Sequence, residues 1–204
     1  MNIVLFGPPF SGKGTQGDLL AHKYHIPHIS TGNIFRSAIR HKTMLGLRIK
    51  SILEKGELVD DNLAVGLIAE EIQYPRYNRG VIFDGFPRNV HQAEMLDELL
   101  GEKNAKIDFV ISLEICDESL IQRIMDCTQD RRDDNEKAIE KRLTLYHDES
   151  DPILEFYEQK GLVHHIDARF SERKIHSDIV KVIESKSTSR MEVPKKLKQQ
   201  AHHQ

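Results

Sequence analysis

The segment Gly7-Pro8-Pro9-Phe10-Ser11-Gly12-Lys13-Gly14-Thr15 satisfies the spacing G-x-x-x-x-G-K, with Gly14 where Ser or Thr usually follows the lysine and Thr15 one position later. A polyphosphate needs converging N–H donors with no side chains in the way. A glycine-rich turn that opens a helix supplies them. Lys13 would add a mobile positive charge at the β- and γ-phosphates. A turn that merely links strand to helix is the alternative, and it gives the lysine no role. A second segment, Asp84-Gly85-Phe86-Pro87-Arg88, follows the apolar run Val81–Phe83. At the carboxyl end of a strand Asp84 occupies a Walker-B position and is a candidate for Mg²⁺ through the ion's water ligands. Gly85 permits close backbone approach, and Arg88 can fork onto a phosphate. Asp-Gly alone is a common turn; its pairing with the first segment, one strand away, gives it weight.

Arginines form the third signal: Arg36, Arg88, Arg123, Arg131, Arg132 and Arg142. Arg142 falls at the edge of a helical stripe of Ile139, Leu143 and Tyr146, where a charge needs a partner. A phosphate would be one; a nearby carboxylate, or snorkelling past the core, would also satisfy the pattern. Phosphoryl transfer is mainly positioning and charge neutralisation, so a lysine, several arginines and Mg²⁺ are what that chemistry requires. Other chemistries are poorly supported. His22, His25 and His28 are spaced by three, but Pro27 ends the helix between them; His164 and His165 lack a partner at ligand spacing. There is no nucleophile-elbow serine, and Cys127 has no local histidine.

These groups must be held by a framework, and its pattern is alternating. Ile3–Phe6, Val81–Phe83, Phe109–Leu113 and Leu162–Ile166 read as buried strands, with a shorter one over Pro27–Ser30. Helical segments are expected at Lys13–Lys23, Asp61–Glu71, Asn89–Leu99, Asp117–Met125, Asn135–Tyr157 and Ser171–Glu184, with Asp117 and Asp133 as N-terminal signals. Strand–helix alternation implies an α/β fold, a mostly parallel sheet covered by helices on both faces. Two intervals break the rhythm: a helical insertion at about 30–60 and a polar connection over Asp126–Arg132. They could be a substrate-binding lobe and a lid, or surface elaborations.

Composition narrows the class. The 204 residues are 39% hydrophobic and 30% charged, with a formal charge of −3, so no bulk positive field points to nucleic acid. Two cysteines, Cys116 and Cys127, make no disulfide framework or four-cysteine zinc site. No run approaches a membrane span, and Met1–Gly7 lacks the basic region of a signal peptide. A soluble cytoplasmic domain is expected. Residues 186–204 carry +4 and the rest −7, so the C-terminus reads as a basic, solvated, disordered tail.

Taken together, Gly7–Gln16, Ser30-Thr31-Gly32, Asp84–Arg88 with Gln92, and Arg131 through Leu143 resemble adenylate kinases of the nucleoside monophosphate kinase family, over about Ile3–Ser185. The resemblance implies a five-stranded parallel sheet with a P-loop nucleoside-triphosphate-hydrolase-like core, a helical monophosphate-binding lobe (about 30–60) and a short lid (about 126–135). It implies reversible transfer from ATP to AMP giving two ADP, with Mg²⁺ and no structural zinc, in a monomer. By the same resemblance Gly12, Lys13, Gly14, Thr15, Arg123 and Arg132 would hold ATP. Thr31, Arg36, Glu57, Leu58, Val59, Gly85, Arg88 and Gln92 would hold AMP, with Arg131 and Arg142 bridging both phosphate chains. Lys13, Arg88, Arg131 and Arg142 would be catalytic. Thr31 and Gln92 favour adenine, since an amide can pair with its edge in two directions.

Four positions depart from the family pattern. Phe10 stands where glycine is usual, Asn33 where aspartate is usual, and Cys127 where a lid arginine is usual; the lid is also short. If residue 10 needs a positive φ, its side chain imposes strain of about 1–3 kcal/mol. Phe10, Cys127 and the short lid leave open a nucleotide-binding module with weak or no catalysis, and a kinase for UMP or CMP is the enzymatic alternative.

Overall fold

A computed structural model describes residues 1–54, 59–116, 118–120, 123 and 136–191. Five strands form one parallel sheet: β1 (Asn2–Phe6), β2 (His28–Ser30), β3 (Val81–Asp84), β4 (Phe109–Glu114) and β5 (Val163–Asp167), in the order β2-β3-β1-β4-β5. Each run expected from the sequence is a strand, shifted by a residue or two at its ends. Along β1 the side chains alternate between two apolar layers, as the two-residue period of a strand requires. Val4 and Phe6 join Phe83, Val110, Ile68, Leu96, Ile153 and Tyr157 on one face. Ile3 and Leu5 join Leu20, Ile82, Ile111, Ile175, Ile179 and Ile183 on the other. Both faces are covered, which explains why the strands read as unbroken apolar runs.

Helix α1 (Lys13–Tyr24) starts directly at the glycine-rich loop and ends with His25 in a left-handed conformation, two residues before Pro27. α2 (Thr31–Arg40) and α3 (Met44–Glu54) make up the described part of the expected insertion, whose own small core is Phe35, Ile49 and Val59. α4 (Asp61–Glu71) instead returns to the main core through Ala64, Val65 and Ile68. Asp60 caps α4 and Asn89 caps α5 (Val90–Glu102), each through its side-chain oxygen. α6 (Glu136–Glu158) crosses the first face. The Asp117 and Asp133 caps, and the lid at 126–135, lie outside the described residues.

The last helix, α7 (Glu172–Met191), departs from the expected boundary. The sequence reading ends the folded part at 185, yet the helix runs on to Met191. Ile175, Ile179 and Ile183 anchor it on the core, and extending an existing helix is much easier than starting one. Lys186 also reaches back to donate to the Gly161 carbonyl at 3.0 Å. No helix among the described residues is long and apolar enough to cross a membrane.

Candidate active site

Parallel pairing brings the chemistry to one end of the sheet. The registers Leu5↔Asp84 and Ser30↔Asp84 align the carboxyl ends of β1, β2 and β3, and Phe6↔Ser112 adds β4. The chain leaves the central β1 first toward β3 and β2 and later toward β4 and β5. The loop after β1 therefore sits where the order reverses, the usual ligand crevice of such sheets.

That loop is built from unusual backbone. Gly7 has φ +144, and a Cβ there would lie 2.8 Å from the Leu113 carbonyl oxygen, so both conformation and packing require glycine. Ser11 N–H closes a turn on the Pro8 carbonyl at 3.2 Å. Gly12, at φ +99, is the N-cap of α1, and a Cβ on it would meet nothing within 4 Å. The backbone there is open to a ligand. The Lys13 ammonium donates to the carbonyls of Gly7 and Pro8, each at 2.7 Å, so it already lies across the loop. Phe10 adopts φ +63, the left-handed conformation anticipated as strained for a bulky residue.

Asp84 stands beside this cradle: a Cβ on Gly14 would lie 3.8 Å from its Oδ2. Its side chain is only 13% exposed. Burial works against the charged form, but the neighbouring His28 imidazole, Lys13 and Arg88 outweigh it and hold the carboxyl below its usual pKa. His28 Nδ1 bonds Asp18 at 2.8 Å, while Nε2 stands 3.7 Å from Asp84 Oδ2, close enough for attraction and too far for a hydrogen bond. Burial disfavours the His28 imidazolium, and the carboxylates of Asp84 and Asp18 override it, raising the pKa above 6.5. An ionised oxygen donor next to a phosphate cradle fits Mg²⁺, which keeps most of its waters and takes one or two carboxylates plus phosphates. No group of three or more metal-ligating side chains occurs among the described residues, and an ion held in that manner needs none.

On the other side of Asp84 lies a network of side chains. Gly85 has φ +79, and its Cβ position would be 2.7 Å from Thr31 Oγ1. Thr31 donates to the Gly85 carbonyl at 3.0 Å, and Arg88 Nε donates to the same carbonyl at 2.8 Å. Gln92 is buried, and both ends of its amide are engaged: Oε1 accepts from Arg88 N–H at 2.7 Å and Nε2 donates to Asp61 Oδ1 at 2.6 Å. Asn89 also donates to both oxygens of Asp61, at 3.0 and 3.1 Å. Arg36 donates to Asn33 Oδ1, so the two residues of α2 face the same space. Val59 is buried in the small core of the insertion, and Glu57 and Leu58 lie outside the described residues.

Arg123 joins the loop after β1 to the loop after β5. One Nη donates to the Ser11 carbonyl at 3.3 Å and the other to the carbonyls of Ala168 and, at 3.4 Å, Phe170. Arg142 belongs to α6, one turn before Tyr146, whose ring packs on Phe6 at 5.7 Å between centroids, though its own side chain is outside the described set. Arg131, Arg132 and Cys127 are outside it too. Lys13, Asp84, Gly85, Thr31 and Arg88 thus come together, with Gln92 behind them. Two contributors were missed in the sequence. Asp61 looks like an ordinary first-turn acid of α4, and in the sequence His28 reads only as a poorly supported metal ligand. No local spacing ties residue 61 to 92 or 28 to 84; only the packed fold does.

Comparison with known proteins agrees with this geometry. The family model for adenylate kinase matches residues 5–162. The adenylate kinase of Phocaeicola vulgatus is 38% identical over 186 residues, covering 90% of this chain and 98% of its own length. That of Bacillus subtilis is 36% identical over 208 residues, covering 88% and 96%. That of Bacteroides fragilis is 38% identical, covering 91% and 99%.

Proposed function

Because the chain belongs to the adenylate kinase family, we propose that it catalyses reversible transfer of the γ-phosphoryl group of ATP to AMP, giving two ADP. The observation that carries the reading is the Lys13 ammonium lying across the glycine-rich loop beside an ionised Asp84. A lysine lying across a glycine-rich turn that opens a helix, next to an ionised carboxylate, suits a metal-bound triphosphate.

Gly12, Lys13, Gly14 and Thr15 hold the donor phosphates, with Arg123 against the base and Arg132 on the phosphate chain. Thr31, Arg36, Gly85, Arg88 and Gln92, with the backbone of 57–59, hold the acceptor. An oxygen of the AMP phosphate attacks the γ-phosphorus in line as the bond to the β–γ bridging oxygen breaks, and that electron pair stays on the departing ADP. No general base is needed, because the attacking oxygen is already anionic. Lys13, Arg88, Arg131 and Arg142 offset the charge that two phosphate chains bring together, and closure over them keeps water from competing. Asp84 would hold Mg²⁺ through the ion's water ligands, and the ion would supply further neutralisation of the triphosphate. The enzyme acts as a cytoplasmic monomer. A panel of acceptors tests the assignment. AMP should exceed UMP and CMP in kcat/KM by at least about 10²-fold, the discrimination a site with base-directed hydrogen bonds reaches. Equal use of the three would refute the adenine assignment.

A further inference from the structure

Residues 31–53 contain Arg36, Arg40, Lys42, Arg48 and Lys50 and no aspartate or glutamate, a local charge of +5 in a chain of −3. Arg36 belongs with the network beside Asp84. Arg40 and Lys42 do not: with His41 between them they are exposed at the turn from α2 to α3. The same turn carries the two most exposed large apolar side chains among the described residues, Met44 at 84% and Leu47 at 60%. A single exposed apolar side chain carries no meaning by itself. Two of them, three residues apart on one helix and next to cations with no opposing carboxylate, form a pattern.

The turn is firmly built. Thr43 Oγ1 accepts from the Gly46 N–H at 3.0 Å and donates to the Ala38 carbonyl at 3.3 Å. The N–H groups of His41, Lys42 and Thr43 return to the carbonyls of Ser37, Ile39 and Ala38, each at 3.0 Å. A Cβ on Gly46 would lie 2.1 Å from the Ala38 carbonyl oxygen, so α2 and α3 meet in direct backbone contact. Ile49 turns into the small core of the lobe, while Met44 and Leu47 stay in solvent.

We propose that this turn docks the chain on an anionic phospholipid surface, with Met44 and Leu47 entering the interface and Arg40 and Lys42 meeting the headgroup phosphates. The proposal is independent of the reaction assigned above. Apolar side chains beside cations are the composition of interfacial anchors. Each lysine or arginine near an anionic bilayer adds attraction, and no carboxylate in residues 31–53 opposes it. A side chain that is 84% exposed projects instead of lining a groove, which suits a flat surface better than a peptide. The contact is reversible, because two apolar side chains bury far less than an acyl anchor.

The experiment sediments the full chain with vesicles of equal parts phosphatidylcholine and phosphatidylglycerol, and with phosphatidylcholine alone. Binding is expected only to the anionic vesicles, and it should weaken as salt is raised to about 0.5 M. Arg40→Ser with Lys42→Ser should lower the partition about 25-fold, or roughly five-fold for each cation. Met44→Ser with Leu47→Ser should lower it roughly ten-fold. Both double variants should keep AMP-dependent turnover in lipid-free buffer within about two-fold, since neither changes a residue of the nucleotide site. Equal binding to both vesicle types, no binding to either, or unchanged partition of the variants would overturn the proposal. So would loss of binding on replacing Lys195, Lys196 and Lys198 by serine while the turn variants still bind, which would assign the contact to the basic C-terminus. Binding to polyglutamate but not to the anionic vesicles would make the patch a site for an acidic protein and would equally refute it.

Discussion

The two sides of Asp84 are built by different means. On the proposed donor side, the site is made of backbone: three residues of the loop after β1, Gly7, Phe10 and Gly12, have positive φ, and Lys13 bonds two of its carbonyls. On the proposed acceptor side, it is made of side chains that hold one another, through Thr31, Arg88, Gln92, Asn89 and Asp61. The first construction is local in the chain, nine residues long. The second gathers side chains from the starts of α2, α4 and α5 and from the turn after β3. A backbone cradle recognises any polyphosphate, whereas a network of amides and carboxylates can distinguish one base from another. On the proposed function, affinity for phosphate and choice of acceptor would therefore reside in separable parts.

Substitutions can separate them. The largest effect is expected at Lys13. Lys13→Met removes the only side-chain cation of the local cradle, and kcat should fall about 10³-fold, as when a preorganised charge-stabilising group is deleted. The far-ultraviolet spectrum should be unchanged. Next comes Asp61, which holds the Gln92 amide from the start of α4. Asp61→Ala leaves that amide half-satisfied and should raise the KM for AMP roughly ten-fold, consistent with about 1–3 kcal/mol for a broken buried bond. The KM for ATP should hold, and a matching rise in it would mean that the two sides are not separable.

Phe10 is the third case. Releasing a non-glycine residue from φ +63 should stabilise the chain by about 1 kcal/mol, so Phe10→Gly should raise Tm by roughly 2–4 °C in a protein of this size. A fall in Tm would show that the half-buried ring contributes more by packing than its conformation costs. The smallest effect concerns His28. Its folded pKa is raised, so its contribution to stability is complete below pH 6.5 and is lost as pH rises through the folded value. Thermal melts between pH 6 and 8 should therefore fall more steeply for the unmodified chain than for His28→Asn. Parallel curves would show that Asp18 and Asp84 do not hold the imidazolium.

The same contrast explains what could be read from the chain alone. The sheet was legible because both faces of β1 are buried, leaving uninterrupted apolar runs such as Ile3–Phe6. The cradle was legible because its function depends on residue types at fixed local spacing. The partners of Gln92 and Asp84 were not, since Asp61 and His28 acquire their roles only when α4 packs beside α5 and β2 pairs with β3. Helix α7 outran its expected end for a related reason. Composition reports which residues can be buried, and a helix anchored by Ile175, Ile179 and Ile183 can continue past the last of them. Net charge misleads in a similar way. A chain of −3 overall still directs Lys13, Arg88 and Arg123 toward one end of its sheet.

Formation of ADP from ATP, followed with and without AMP in the unmodified chain and in Lys13→Met, bears most directly on the proposed activity. The expected result is ADP formation that requires AMP, yields two ADP per ATP consumed, and falls about 10³-fold with the lysine removed. ADP formation that ignores AMP, or that survives Lys13→Met at full rate, would contradict a phosphoryl transfer built on this cradle.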